Sequence, residues 1–240
     1  MGRNIAVLLA AGEGNRLYSE MKEGRLNSNI PKQFININGK TSVEYCLEAF
    51  RKHKEIDEIC IVINQKWQPL LTKIIDTFPY KNINIIAGGV ERYHSSYNAI
   101  LEYQNDDYLL FHDAARPLVS YKIINETLKA LKNYACVASS IPVANTIIEV
   151  NLENTIAAFP PRNLLQQLQT PQAFKREIIK RAYDIGLQDA NFTTTDDCGV
   201  IFKYLPKEKI HLIPGEIKNY KLTYADDIAL ICQYLQQLKV

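Results

Sequence analysis

The sequence predicts an α/β fold in which a mostly parallel β-sheet is covered by helices on both faces. Short apolar runs alternate with longer amphipathic stretches, and the apolar runs contain few polar residues, as strands buried on both faces do. The predicted strands are residues 5–10, 58–63, 83–87, 108–111 and 137–141. The predicted helices between them are residues 42–53, 67–78, 92–103 and 121–133.

The alternation changes after Pro142. Residues 146–150 and 155–159 are β-prone and flank a polar turn, so they predict a hairpin that projects from the main body. Further helices are predicted at residues 174–187 and 224–238. Because there is no internal repeat and no Gly/Ser linker, we predict a single domain, residues 1–240, with a hairpin arm at about 144–160.

The composition excludes several classes of protein. Hydrophobic residues make up 47% of the 240-residue chain and charged residues 22%, which is typical of a globular protein and not of a disordered one. The net charge of +2 argues against a nucleic-acid-binding protein. Five scattered cysteines without a C-x-x-C pair predict reduced thiols and a cytoplasmic location. The first apolar run is too short to span a membrane, so no membrane partner is expected.

A glycine-containing turn, residues 9–17 (LAAGEGNRL), follows the first strand. Small side chains let the backbone approach a ligand, and amides in such a turn can bind an anion. The turn is neither a dinucleotide fingerprint, because Leu17 replaces the third glycine, nor a Walker A loop. An ordinary strand-to-helix turn is the alternative interpretation. The small residues of the turn are Ala10, Ala11, Gly12 and Gly14.

Two cations bracket the polar stretch that follows this turn. Arg16 lies at its start, and Lys32 follows Pro31 at its end. A guanidinium binds two phosphate oxygens at once, whereas an ammonium acts as a point charge, so the pair suits a polyphosphate. The alternative for Lys32 is a solvated surface lysine.

Two further motifs lie where predicted strands end, which is the edge of an open α/β sheet that binds ligands. Gly88 and Gly89 expose bare backbone after the third strand, and Arg92 and Ser95 follow on the first turn of a helix. Asp113, in residues 112–117 (HDAARP), is a candidate metal ligand that faces phosphates. The alternatives are a capped tight turn, a structural Asp113–Arg116 ion pair, and a packing role for His112.

The remaining candidates carry weak individual signals. Asp196 and Asp197 have the alternative role of capping a helix near Thr195. Lys221 lies in a strand-like segment, where an exposed lysine is the simpler interpretation. The candidates of this group are Arg162, Thr170, Thr195 and Lys221.

Six motifs run in order along the chain: AAGxGxR, PKQ, GGxxRxxS, HDAARP, TPQ and KxT. In this order the chain resembles the 2-C-methyl-D-erythritol 4-phosphate cytidylyltransferase family, including the related ribitol-5-phosphate cytidylyltransferases. The resemblance covers residues 5 to about 235. It implies a Rossmann-like fold of the nucleotide-diphospho-sugar transferase type, and the transfer of CMP from CTP to a polyol phosphate with release of pyrophosphate.

The resemblance also implies roles for individual residues. The nucleotide would be bound by Ala10, Ala11, Gly12, Gly14, Gly89, Val90, Arg92, Ser95, Asp113 and Ala114. The catalytic cations would be Arg16, Lys32 and Lys221, with Mg²⁺ as cofactor and Asp113 as its ligand. The acceptor would meet Arg162, Thr170 and Thr195. The hairpin arm would form a homodimer, so that Arg162 reaches the neighbouring subunit's site.

The chain departs from the family pattern at three places: a longer loop around residues 20–29, Val90 in place of an acidic residue, and Asn145 in place of an aspartate. The favoured acceptor is 2-C-methyl-D-erythritol 4-phosphate, and ribitol 5-phosphate is the alternative. A catalytically silent nucleotide-binding regulator is the alternative from another class, and a dehydrogenase is weaker still.

Overall fold

A computed structural model describes residues 2–13, 30–77 and 82–237. The strands are β1 (Asn4–Leu9), β2 (Asn36–Ile37), β3 (Lys40–Thr41), β4 (Glu58–Ile63), β5 (Ile83–Ala87), β6 (Tyr108–Asp113), β7 (Cys136–Pro142), β8 (Glu149–Val150), β9 (Ile156–Ala158), β10 (Gln166–Lys175) and β11 (His211–Pro214). The α-helices are α1 (Ser42–Arg51), α2 (Gln68–Asp76), α3 (Arg92–Glu102), α4 (Tyr121–Leu131), α5 (Arg176–Gly186), α6 (Asp197–Tyr204) and α7 (Ala225–Gln237). Short 3₁₀ helices occur at Lys32–Phe34, Gln65–Trp67 and Arg162–Leu164.

The described residues form a seven-stranded sheet in the order β11-β7-β10-β6-β1-β4-β5. Neighbouring strands are parallel except that β10 is antiparallel to both β6 and β7. The predicted mostly parallel α/β sheet is therefore confirmed. Within the part of the chain that the structure describes, no helix could span a membrane.

The central strand β1 explains why its sequence is apolar throughout. Ala6 and Leu8 pack into one hydrophobic cluster, whereas Ile5 and Val7 pack into a second one. Because successive side chains of a strand point to opposite faces, both faces of β1 need apolar residues. Helices α1, α2 and α4 contribute to the first cluster, and α3, α5 and α6 contribute to the second. The sheet is thus covered on both faces, as predicted.

Strand β10 was not predicted, and the predicted helix at 174–187 begins later, at Arg176. The sequence of β10, QQLQTPQAFK, does not alternate apolar and polar residues, and the register of β10 against β7 shifts between Leu168 and Gln172. Both features remove the period-two signal that marks a strand. The strand-like interpretation of the segment around Lys221 is wrong, because residues 219–223 form neither strand nor helix.

The predicted hairpin is confirmed, with shorter strands. β8 and β9 pair antiparallel in a separate two-stranded sheet. The Asn151 side chain stabilises the turn, since its Oδ1 accepts hydrogen bonds from the amides of Glu153 (3.1 Å) and Thr155 (3.0 Å).

Candidate active site

The candidate residues converge because the carboxyl ends of four parallel strands meet at one edge of the sheet. Leu9, at the end of β1, is paired with Asp113 at the end of β6. The residues that follow stay in register, since the Ala10 amide donates to the Val62 carbonyl at 2.8 Å. The Gly88 amide donates to the Ile63 carbonyl at 2.7 Å. The turns after β1, β5 and β6 therefore lie side by side, as the positions of the motifs predict.

A cavity of about 120 Å³ opens at this edge. Its walls combine bare backbone, three cationic side chains and one carboxylate, which suits an anionic ligand. The lining residues are Leu9, Ala11, Gly12, Lys32, Gln33, Arg92, Ser95, Asp113, Ala115 and Lys221.

Asp113 is the negative centre of the cluster. Its Oδ2 forms an ion pair with Lys221 Nζ at 2.7 Å, and Arg116 Nε lies 3.7 Å from the same oxygen. Arg92 Nε lies 3.7 Å from Oδ1. Burial alone would raise the pKa of Asp113, but Lys221, Arg92 and Arg116 together lower it well below its usual range. The carboxylate is therefore ionised and holds three cations near one point.

Arg92 connects this cluster to a second, deeper carboxylate. Its Nη2 lies 2.8 Å from Oδ2 of Asp197, the first residue of α6, whose side chain is fully buried. The other oxygen of Asp197 accepts a hydrogen bond from the Tyr183 hydroxyl at 2.7 Å. Burial lowers the pKa of the Arg92 guanidinium, but Asp197 and Asp113 raise it above its ordinary value. Arg92 thus remains charged and links α3 to α6 through its ion pair with Asp197.

Lys221 lies in an irregular segment that is held by hydrogen bonds both before and after this residue. The Leu222 amide donates to the Ala115 carbonyl at 2.8 Å, and Arg116 Nη1 donates to the Asn219 carbonyl at 2.8 Å. Asn219 Nδ2 donates to the Thr170 carbonyl at 2.9 Å. These bonds hold the Lys221 ammonium against Asp113.

His112 is a packing residue in the structure. Its Nε2 lies 3.1 Å from the Arg116 carbonyl, which can only accept, so Nε2 carries the proton. Thr170 Oγ1 therefore donates to Nδ1 (2.9 Å) and accepts from the Asp113 amide (3.2 Å). Burial lowers the pKa of His112 to about 4, so the ring is neutral at physiological pH. The pair supports the backbone of Asp113 from behind.

The turn after β1 and the turn after β5 come closest to each other at Gly88. A Cβ at this position would lie 2.3 Å from the Ala11 Cβ and 3.2 Å from Ser95 Oγ. Only a residue without a side chain fits between β5 and the turn after β1. The first and third motifs of the sequence are therefore parts of one surface.

Comparison with known proteins identifies this arrangement. The family model for 2-C-methyl-D-erythritol 4-phosphate cytidylyltransferase (IspD) matches residues 4–237. The chain belongs to this family. It is therefore related to enzymes of the nucleotidyltransferase class, and the resemblance drawn from the six motifs is confirmed.

Individual relatives agree. The chain is 36% identical to a 2-C-methyl-D-erythritol 4-phosphate cytidylyltransferase of Thermobifida fusca, over 95% of this chain and 91% of the relative. It is 37% identical to a bifunctional ribulose 5-phosphate reductase/CDP-ribitol pyrophosphorylase of Haemophilus influenzae, over 98% of this chain but 48% of that relative. A crystal structure of 4-diphosphocytidyl-2C-methyl-D-erythritol synthase from Anaerococcus prevotii superposes with a TM-score of 0.84 at 26% identity, covering 98% of this chain and 96% of that one.

The structure brings together most residues for which family membership suggested a nucleotide or catalytic role. Ser95 lines the cavity, and its Oγ accepts a hydrogen bond from the Gly89 amide at 3.1 Å, which places Gly89 next to the wall. Gly14 and Arg16 lie outside the described residues. The candidates that line the cavity are Ala11, Gly12, Lys32, Arg92, Ser95, Asp113 and Lys221.

Other candidates lie elsewhere. Ala114 is fully buried and its carbonyl accepts from Ser42 Oγ at 2.6 Å, so Ala115 takes its place on the cavity wall. Ala10 is also buried, and Thr170 lies behind Asp113 and not on the wall. Val90 and Thr195 are exposed.

Arg162 stays on the arm, where its Nη1 donates to the Ala144 carbonyl at 3.1 Å. The structure thus places it beside its own hairpin.

Two residues of the site, Gln33 and Asn219, had no role assigned from the sequence, and Arg116 was considered only as the partner of Asp113 in a structural ion pair, where the structure places its Nε 3.7 Å from Asp113 Oδ2. Gln33 and Arg116 lie inside the PKQ and HDAARP motifs, so the motifs themselves were the signal that marked them. Asn219 is fully buried although it is polar, and the sequence gives no pattern that predicts its burial.

Proposed function

We propose that the protein transfers the CMP group of CTP to 2-C-methyl-D-erythritol 4-phosphate. An oxygen of the acceptor phosphate would attack the α-phosphorus, and the bond to the bridging oxygen of pyrophosphate would break. The observation that carries the proposal is the convergence of Lys32, Arg92 and Lys221 with Asp113 beside the glycine turn. The match of the family model over nearly the whole chain supports the reaction.

The proposed chemistry needs charge neutralisation more than proton transfer. A phosphate monoester is mostly dianionic at neutral pH, because its second pKa is about 6, so it attacks without a general base. Two unit charges 4 Å apart repel by about 4 kcal/mol at an effective dielectric of 20. Lys32 and Lys221 would draw the two anions together and neutralise the charge that grows on pyrophosphate. Backbone amides of the glycine turn would hold the phosphates in line.

The acceptor would approach Lys221 from a second, larger cavity. This cavity has a volume of about 820 Å³ and shares Lys221 and Arg116 with the charged cluster. Amide side chains that can bind polyol hydroxyls line it, including Gln166, Gln167 and Gln169. Lys221 would then lie between the nucleotide and the acceptor.

Mg²⁺ is proposed as the cofactor, with Asp113 as its protein ligand. Mg²⁺ bound to nucleotides commonly uses one or two carboxylates together with substrate phosphates, and the described residues contain no cluster of three or more candidate ligands. The Oδ1 atom of Asp113 is the candidate ligand atom, because Oδ2 pairs with Lys221 at 2.7 Å whereas Arg92 Nε lies 3.7 Å from Oδ1. When bound, the ion would neutralise phosphate charge.

The acceptor assay tests the proposal directly. The protein is incubated with CTP, Mg²⁺ and either 2-C-methyl-D-erythritol 4-phosphate or ribitol 5-phosphate, and CDP-alcohols and pyrophosphate are quantified. We expect the higher kcat/KM with the methylerythritol acceptor. A higher value with ribitol 5-phosphate would support the alternative suggested by the Haemophilus influenzae relative. CTP binding without product from either acceptor would support a silent regulator.

We also propose that the hairpin arm forms a homodimer. The arm exposes a dense set of large apolar side chains, which is unusual for a surface that contacts only water. They are Ile147, Ile148, Val150, Leu152, Ile156 and Phe159, and the exposed Leu164 follows just beyond the arm. A partner's arm could then bring Arg162 to the acceptor cavity of the other subunit.

Charge placed on the arm is expected to separate the subunits. Ile156→Asp should convert a dimer to a monomer in sedimentation velocity, because it buries a carboxylate in an apolar interface. Phe202→Asp is the matched control, since Phe202 is also exposed but lies on α6. A wild-type protein that is monomeric at concentrations where it turns over substrate would contradict the proposal.

The five cysteines are free, and four of them are buried. This supports a proposed location in a reducing compartment such as the cytoplasm.

A further inference from the structure

Gln33 is a buried polar residue next to Lys32, and only 2% of its surface is exposed. Its side-chain Nε2 lies 2.5 Å from the Ala10 carbonyl and 3.1 Å from the Gly12 carbonyl. Carbonyl oxygens can only accept, so both bonds must come from the amide nitrogen of Gln33. One side chain therefore clamps two carbonyls in the first part of the glycine turn, those of Ala10 and Gly12.

The clamp also sets the direction of two backbone donors. In a trans peptide the C=O and N–H groups point in opposite directions, and the peptides that join residues 10–13 are trans. When the carbonyls of Ala10 and Gly12 face Gln33, the amides of Ala11 and Glu13 face away from it. Two backbone amides that point away from the same side chain in this way can bind phosphate oxygens.

Packing holds the start of the turn but not Gly12. Ala10 is buried and Ala11 lies against Gly88, whereas a Cβ placed on Gly12 would meet no atom of the described residues within 4 Å. Gln33 itself is well anchored, because the next residue, Phe34, is buried in the core and contacts the Trp67 ring at 6.5 Å between centroids. The Phe34 amide also donates to the Pro31 carbonyl at 2.8 Å. Gln33 thus connects the rigid core to the Gly12 carbonyl, around which the described residues provide no packing.

We propose that Gln33 is a positioning residue for the nucleotide, which orients the backbone amides of residues 11–13 and fixes their distance from Lys32. The inference rests on the proposed function, because it takes the triphosphate of CTP as the ligand of these amides. Gln33 itself donates to the protein backbone and takes no part in the bonds that form and break.

Two substitutions remove the donor. Gln33→Met keeps the length of the side chain, and Gln33→Glu keeps its shape but replaces the donor by an acceptor. We expect the Kd for CTP, measured by calorimetry without acceptor, to rise about tenfold or more, since each freed carbonyl lets its peptide rotate. The KM for the acceptor should stay within about twofold of the wild-type value. If Gln33→Met does not fold, Gln33→Glu carries the same comparison.

Gln172→Met is the matched control. Gln172 is another buried amide, and its Oε1 accepts a hydrogen bond from the Cys198 amide at 3.1 Å, away from the glycine turn. It should change thermal stability without raising the Kd for CTP. The inference is overturned if the Gln33 variants bind CTP within twofold of wild type, or if Gln172→Met weakens CTP binding equally. Failure of the proposed function is separate, because it appears as a wild-type protein that forms no CDP-alcohol.

Discussion

Replacing Lys221 with methionine is expected to lower kcat/KM by about 10²–10³-fold, the usual cost of losing one preorganised group that stabilises charge in a transition state. Lys221 Nζ lies 2.7 Å from Asp113 and borders both the nucleotide cavity and the larger cavity. Among the described residues no other cation borders both cavities, because Arg116 borders the larger one but not the nucleotide cavity, and its Nε is 3.7 Å from Asp113.

The fold should survive this change. Asp113 keeps Arg92 and Arg116 nearby, and the Lys221 segment keeps its backbone bond from Leu222 to Ala115. Lys218→Met is the matched control, since Lys218 lies on the same segment but pairs with Glu216 at 3.4 Å. Steady-state kinetics with CTP and the acceptor check the prediction. Turnover within threefold of wild type for Lys221→Met would remove the proposed catalytic role.

Replacing Arg92 with leucine is expected to destabilise the protein by about 3–5 kcal/mol, as happens when one partner of a buried ion pair is removed. The remaining partner, Asp197, is fully buried, and only the Tyr183 hydroxyl would still bond to it. The free energy of unfolding falls because the Asp197 carboxylate is left unpaired in a poorly solvated site. Urea denaturation measures the change in the free energy of unfolding.

A double variant separates the charge effect from the loss of packing. Arg92→Leu combined with Asp197→Asn should be more stable than Arg92→Leu alone, because no unpaired charge is then buried. Arg181→Leu is the surface control, since Arg181 pairs with Glu208 at 2.7 Å and is half-exposed, and it should cost less than about 1 kcal/mol. Equal losses for Arg92→Leu and Arg181→Leu would show that the Asp197 pair does not stabilise the fold.

The positions of the motifs were predictable because they follow strands. Gly12, Gly88 and Asp113 each lie at or just after the end of an apolar strand, and parallel strands bring such ends to one edge. Strand β10 escaped prediction because its glutamines and Pro171 break the alternation of apolar and polar residues. Its pairing between β6 and β7 is decided by the rest of the sheet.

The roles of individual polar residues were less predictable. Thr170 was expected at the acceptor, yet it bonds to His112 and supports Asp113. Arg92 was expected to bind the nucleotide, and it lines the cavity, yet its closest ion-pair partner is Asp197 on a distant helix. In each case the partner is far away along the chain, so local sequence carries no signal for it.

The sequence by itself determined the α/β class, the family and the edge of the sheet where the cations lie, because hydrophobic periodicity and motif order are local properties of the chain. The tertiary structure alone decided which charges pair, that Gln33 clamps the glycine turn, and that Ala115 takes the place of Ala114 on the cavity wall. Hydrogen bonds and ion pairs form only within a few ångströms, and that spacing exists only after distant segments have packed together.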